Sequence, residues 1–290
     1  MALTGGRVEI GSSAIRELTI ECRKLGAVNL AQGFPDEDAP PEVVEFAIRA
    51  LHASTHQYID PRGEPGLRAA IAETARRTTG AAVDPDRNVV VTCGATEAMM
   101  ACLEALLPPG ATVGFIAPFY ENYRLQARLA GLEARYAWLE GADLEFTAKT
   151  LDPLAGPGLA AIVISNPANP TGRVFSREEL AAILEFAQAH NAIVLSDETY
   201  EHFVWDGARF TSILAVEGAE QRAIVVSSFG KTFSITGWRV GYLIAPETCV
   251  EAVAATHDFH TITAPHPFQV AIRYALTELG PEFYDRLRSE

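Results

Sequence analysis

Paired cysteines are missing from this sequence. Cys22, Cys93, Cys102 and Cys249 stand far apart, with no CxxC pair, which excludes a disulfide framework or a cysteine zinc site and predicts reduced core thiols. Long apolar runs are missing too. Nothing reaches the roughly 18 consecutive apolar residues of a membrane span, so no transmembrane helix is expected. No basic stretch followed by an apolar run marks the N-terminus, so no signal peptide is expected and the expected location is cytoplasmic. Positive charge is in deficit. A formal net charge of −14 argues against nucleic acid and against anionic membrane surfaces as partners, yet leaves room for a local basic pocket. There is no internal repeat and no low-complexity segment. His257, His260 and His266 lie close together, but not at the spacing of a helical metal site such as H-E-x-x-H; they are expected to be partner-contact or loop residues. What is present, 48% hydrophobic and 21% charged residues in a chain of 290, suffices for a sizeable core in one large or two modest domains.

Helical spacing is expected over 11–25, with Ser12 or Ser13 as N-cap, and over 40–53 and 64–79. From Asn88 onward, short β-branched runs alternate with helical patterns. Strands are expected at 88–92, 112–116, 133–138, 160–165, 192–196, 223–227 and 239–245. A helix at 176–190 opens on the capping box Ser176-x-x-Glu179. The stretch 141–158 looks like the loosest connection. Strands apolar on both faces, alternating with helices, predict an α/β fold: a three-layer α/β/α large domain with a mostly parallel sheet.

Ligands of such sheets bind beyond the carboxyl ends of the strands. Those positions are Gly94-Ala95-Thr96, Phe119-Tyr120, 166–170, 197–200 and Ser228 to Lys231. Gly94-Ala95-Thr96 opens a helix, whose free N–H groups bind phosphate, although strand-glycine-helix turns are common. Asp197 ends an apolar strand and is suited either to a protonated pyridine nitrogen or to capping the next segment. Tyr200 lies three residues on. Asn169 is flanked by Pro167 and Pro170. Tyr120 offers a stacking face or an ordinary core aromatic. Lys231 follows a strand end, with Ser228 before it and Arg239 eight positions after. That setting suits a Schiff base with an anionic aldehyde cofactor; read alone, it also suits a surface lysine in a turn. Taken together, these residues describe a pyridoxal 5′-phosphate site.

The motifs at 30–36 (Leu-Ala-Gln-Gly-Phe-Pro-Asp), Gln57-Tyr58, 94–98, 166–172 (Asn-Pro-Ala-Asn-Pro-Thr-Gly), 196–202 and 227–241 occur in family order. By them the chain resembles a class I aminotransferase of fold type I, within the kynurenine/methionine aminotransferase group. The resemblance implies catalytic Lys231, Asp197 and Tyr200. Lys231 would carry the cofactor, Asp197 would pair with its ring nitrogen, and Tyr200 and Asn169 would bond its phenolic oxygen. Tyr120 would stack on the ring, and Ala95, Thr96, Ser228 and Arg239 would bind phosphate. Tyr58 would reach the phosphate of a neighbouring subunit, which implies a homodimer. Gly33, with Asn169, would contact the substrate. The implied reaction is ping-pong transamination between an amino acid of the methionine, aromatic or kynurenine class and a 2-oxo acid. Phe34, Tyr120 and Tyr123 suggest an aromatic or thioether side-chain pocket, although core packing explains Tyr123 equally well.

The implied domains are an N-terminal arm with part of a small domain (1–40), a large cofactor-binding domain (41–280) and the start of a C-terminal small domain (281–290). Family members continue past this point into a segment bearing the arginine that grips the substrate carboxylate; no arginine here matches it. The expectation is a C-terminally truncated chain with a complete cofactor site and an incomplete substrate site. The alternatives are a cysteine-S-conjugate β-lyase on the same site, or a chain that binds the cofactor without activity.

Overall fold

The computed structural model describes residues 13–33 and 35–289. Alternation within the strands decides the architecture. In β1 (Val89–Thr92), Val89 and Val91 pack on one face and Val90 on the other. β4 (Leu159–Ser165) separates Ile162 and Ile164 from Ala161 and Val163 in the same way, and β6 (Ala223–Ser228) separates Val225 from Ile224 and Val226. Both faces bury apolar surface, so both need a helical layer. With β2 (Thr112–Ala117), β3 (Glu133–Trp138), β5 (Ile193–Asp197) and β7 (Gly241–Ile244), these strands form one sheet of order β1-β7-β6-β5-β4-β2-β3. The run from β3 to β6 is parallel, while β7 is antiparallel to both β6 and β1. This is the mostly parallel α/β fold that the strand pattern predicts.

One face is covered by α4 (Ala95–Leu106), α5 (Glu121–Leu129) and α8 (Glu247–Thr261), which place Met99, Leu103, Tyr123, Val250 and Val253 against Phe115 and Val113. The other face is covered by α3 (Pro65–Thr79), α6 (Arg177–Ala189) and α9 (His266–Glu278), through Leu67, Ile71, Leu180, Ile183 and Ile272. The capping box of α6 is formed: Ser176 Oγ accepts the Glu179 N–H and Glu179 Oε2 accepts the Ser176 N–H, which is worth about 1 kcal/mol. α2 (Pro41–Ala53) lies on α9, with Ala47 and Ala50 against Val270 and Ala271. α10 (Pro281–Ser289) sets the Phe283 ring 5.6 Å from that of Phe233. Among the described residues no helix is long and apolar enough to cross a membrane.

Four expectations need correction. α1 (Ala14–Leu25) has Ser13 at its N-cap position, but the Ser13 hydroxyl donates to Glu121 Oε1 at 2.5 Å instead of capping the helix. β7 begins at Gly241, because Arg239 takes a left-handed conformation (φ 56°), which extended pairing does not accommodate. The stretch 141–158 is anchored, not loose: Leu151 and Leu154 are buried, and Leu154 fills the space left over Gly114, where a Cβ would stand 2.9 Å from its Cδ1. His257 and His260 lie on α8, not in a loop. They face acidic side chains of α4.

β7 opens on a close approach. A Cβ on Gly241 would stand 2.5 Å from the Ser227 carbonyl oxygen and 2.6 Å from the Gly94 Cα. Gly241→Ala is expected to cost about 1–3 kcal/mol, read as a lower urea midpoint. Gly237→Ala, with nothing within 4 Å of the added carbon, should stay within about 0.5 kcal/mol of the parent.

Candidate active site

Five strands deliver side chains to one cavity of about 390 Å³ at their carboxyl ends. β1 leads through Gly94 (φ 87°) into α4, whose start carries no side-chain cap. Its first N–H groups, at Ala95 and Thr96, therefore line the cavity as unfilled donors with the positive end of the helix dipole behind them. Beside them stands Arg239. Its Nη1 donates to the Thr236 carbonyl and its Nη2 to the Cys93 carbonyl, each at 3.0 Å. Both acceptors are neutral, so the cation keeps its charge for an anion. Ser228, at the end of β6, lines the same corner and accepts the Gly230 N–H at 3.2 Å.

Opposite in charge is Asp197, at the end of β5. Its Oδ1 accepts the Thr199 N–H at 3.1 Å and its Oδ2 accepts the Tyr123 hydroxyl at 2.7 Å. Burial pushes the Asp197 carboxyl above its ordinary value, against the pull of these two donors. No cation pairs with it among the described residues. A protonated ring nitrogen in the cavity would supply the missing charge and favour the ionised carboxylate. The capping reading of Asp197 is met by Oδ1, which holds the next turn, and the carboxylate also lines the cavity.

Lys231 comes from α7 (Phe229–Thr232), a single turn begun by Ser228. Its Nζ donates to the Gly33 carbonyl and lies 5.8 Å from the centre of the Tyr200 ring. Burial lowers its pKa, and the like charge of Arg239 lowers it further. Tyr200 moves the other way. Burial, then the nearby Asp197 charge, push its hydroxyl up to about 12, so at neutral pH it is a proton donor. Tyr120 and Asn169 line the cavity as expected. Tyr58 does not; it is 78% exposed and lies beside His56 and Thr263 in a separate depression. Phe34 lies outside the described residues.

Two residues of the cavity lining stand in contacts that the sequence reading did not foresee. Tyr123 lines the cavity and is 3% exposed, with its ring edge-on to Tyr120 at 5.5 Å and its hydroxyl donating to Asp197. The Tyr120-x-x-Tyr123 spacing at the start of a helix was the available signal. Arg16 of α1 also lines the cavity. On an exposed helix face nothing distinguishes it from a solvated arginine.

The cavity thus joins a flat stacking face, an uncapped helix start beside an arginine, a buried carboxylate without a cation and a depressed amine. The pyridoxal phosphate expected from the sequence fits this set. The family model for aminotransferase class I and II matches residues 26–279. The chain is 39% identical to the probable N-succinyldiaminopimelate aminotransferase DapC of Mycobacterium tuberculosis, over 91% of this chain and 67% of that one. It is 31% identical to the methionine aminotransferase of Escherichia coli, over 95% of this chain and 71% of that one. The solved structure of N-succinyldiaminopimelate aminotransferase from Mycobacterium tuberculosis superposes with a TM-score of 0.91 at 38% identity, covering 96% of this chain and 73% of that chain.

Arg239→Gln removes the like charge beside Lys231, so the Lys231 pKa should rise. The pH profile of Lys231 acylation by acetic anhydride should move to higher pH; an unmoved profile would leave burial as the whole cause.

Proposed function

Because the chain belongs to the class I and II aminotransferases, which depend on pyridoxal phosphate, we propose that it transfers an amino group between an amino acid and a 2-oxo acid, with Lys231 as the reactive amine. The observation that carries this reading is the convergence of Lys231, Asp197 and Arg239 on one cavity. Asp197 would face the ring nitrogen of the cofactor. Tyr200 and Asn169 would bond its phenolic oxygen and Tyr120 would cover its ring. The N–H groups at Ala95 and Thr96, with Ser228 and Arg239, would hold its phosphate. When bound, the cofactor supplies an aldehyde for the amino group and an electron-poor ring for the electron pair released at the substrate Cα.

The protein's own groups do the rest. With its pKa lowered, the Lys231 Nζ is unprotonated in a larger fraction of molecules near neutral pH, as a base for the substrate Cα proton must be. The Gly33 carbonyl holds that amine in place, and the Gly33 backbone is the proposed contact for the substrate carboxylate. Thr199 and Tyr123 fix the Asp197 carboxylate, so its charge need not reorganise as the reaction proceeds.

For the donor we keep methionine, aromatic amino acids and kynurenine from the sequence resemblance. One observation favours an acidic donor beside them. Arg16 lines the cavity and makes no ion pair among the described residues, and 39% identity to a succinyldiaminopimelate enzyme stands against 31% to a methionine enzyme. A β-lyase reaction on cysteine S-conjugates is the alternative chemistry, and binding of the cofactor without turnover is the other. We assign residues 41–280 to the cofactor-binding domain and 1–40 and 281–290 to the small domain and arm. Tyr58, exposed and outside this cavity, supports a homodimer in which it serves the other subunit. We place the protein in the cytoplasm.

Purified chain with pyridoxal phosphate is expected to show a long-wavelength absorbance band that is missing in Lys231→Ala. Methionine, kynurenine or N-succinyldiaminopimelate should shift that band, and the donor with the largest shift names the substrate class. A Lys231-dependent band unmoved by every donor would reduce the reading to cofactor binding. Pyruvate and ammonia released from a cysteine S-conjugate without a 2-oxo acid would transfer it to the lyase.

A further inference from the structure

Behind the helix start that lines the cavity lies a polar cluster the reaction does not touch. Glu97, in the first turn of α4, directs its carboxylate back toward the preceding turn, where Oε2 accepts the Cys93 N–H at 3.1 Å. The carbonyl of the same residue accepts Arg239 Nη2 at 3.0 Å. Cys93 is therefore gripped on both sides, by a carboxylate on its N–H and by a guanidinium on its C=O. Glu97 is held in turn from α8. Both of its oxygens lie 3.0 Å from His257 Nδ1, and Oε1 lies 3.6 Å from His260 Nδ1. His260 Nε2 reaches Glu104 at 2.7 Å.

The His257 ring is fully buried, and its one side-chain anchor in the cluster is at Nδ1, which faces both Glu97 oxygens. A carboxylate beside an anion site would ordinarily repel the anion. This one does not line the cavity and is directed toward two imidazoles. Left untethered, it could rotate toward the cavity and oppose the phosphate.

We propose that Glu97, clamped by His257 and His260, is a positioning residue. It fixes the Cys93 peptide so that Arg239 and the N–H groups at Ala95 and Thr96 are set for the phosphate end of the cofactor. The inference rests on the phosphate placement proposed above. Its signature is discrimination between pyridoxal phosphate and pyridoxal, which share a ring and an aldehyde and differ in the phosphate.

The test is to measure dissociation constants of both compounds for the full chain stripped of cofactor, by equilibrium fluorescence titration, and to compare their ratio. Wild type should prefer pyridoxal phosphate. Glu97→Ala should cut that preference by about tenfold or more, as expected for a lost hydrogen bond to a charged group, with pyridoxal binding unchanged. Glu97→Gln keeps an acceptor for the Cys93 N–H and should restore the preference to within about threefold. His260→Ala, on the half-exposed side of the cluster, should lower it by roughly twofold to threefold. If Glu97→Ala does not fold, His260→Ala decides. A preference unchanged in the folded variants would overturn the inference and leave Glu97 as a tie between α4 and α8. A wild type that binds both compounds equally would instead overturn the phosphate placement.

Discussion

The guanidinium of Arg239 is the tie on which the geometry of the cavity depends. It joins the end of β1, through the Cys93 carbonyl, to the turn after Lys231, through the Thr236 carbonyl. To reach both, Arg239 adopts a left-handed backbone costing roughly 1–2 kcal/mol, against two charged hydrogen bonds worth about 1.5–3 kcal/mol each. The bonds win. Neutral backbone acceptors also leave the positive charge uncancelled, and that charge acts twice: it depresses the Lys231 amine and attracts an anion. Replacing either carbonyl by a carboxylate would remove both effects.

The segment after β5 gathers several carboxylates, and burial sorts them. Glu198 is pushed up to about 8 and Glu201 to about 7. Glu198 accepts the Ser196 hydroxyl and the Ile213 N–H, each at 3.0 Å, and faces the core. Mostly protonated at neutral pH, it adds little negative charge beside Asp197. A folded-state pKa above the unfolded value means that stability is fully present at acid pH and declines as pH rises through the folded value. Two adjacent acids can thus sit in one buried strand end without both being ionised.

Much of this was legible in the sequence because the sheet enforces simple rules. β-branched runs on both faces gave the strands, and the residues just past them gave Ala95, Tyr120, Asn169, Asp197, Ser228 and Lys231. What escaped had no local signature. Leu154 anchors the stretch 141–158 only because Gly114, far away in sequence, leaves it room. α8 carries a buried histidine where a helix pattern usually shows an apolar residue, so His257 and His260 read as partner-contact or loop residues. Arg16 looked like any exposed arginine. Tyr123 was seen, but its hydroxyl acquired a purpose only when α5 was laid beside β5.

The reversed direction of β7 has a kinetic side. Because β7 returns antiparallel beside β6, the segment bearing Lys231 is the loop of a hairpin and closes by short-range contacts. The turn at 94–96 follows β1, which must travel from early in the chain to pair with β7. Loop closure over that span costs more entropy than closing the hairpin. Lys231 can therefore be set by its neighbours in sequence, whereas the corner where the start of α4 meets Arg239 is assembled only when two distant parts of the chain meet.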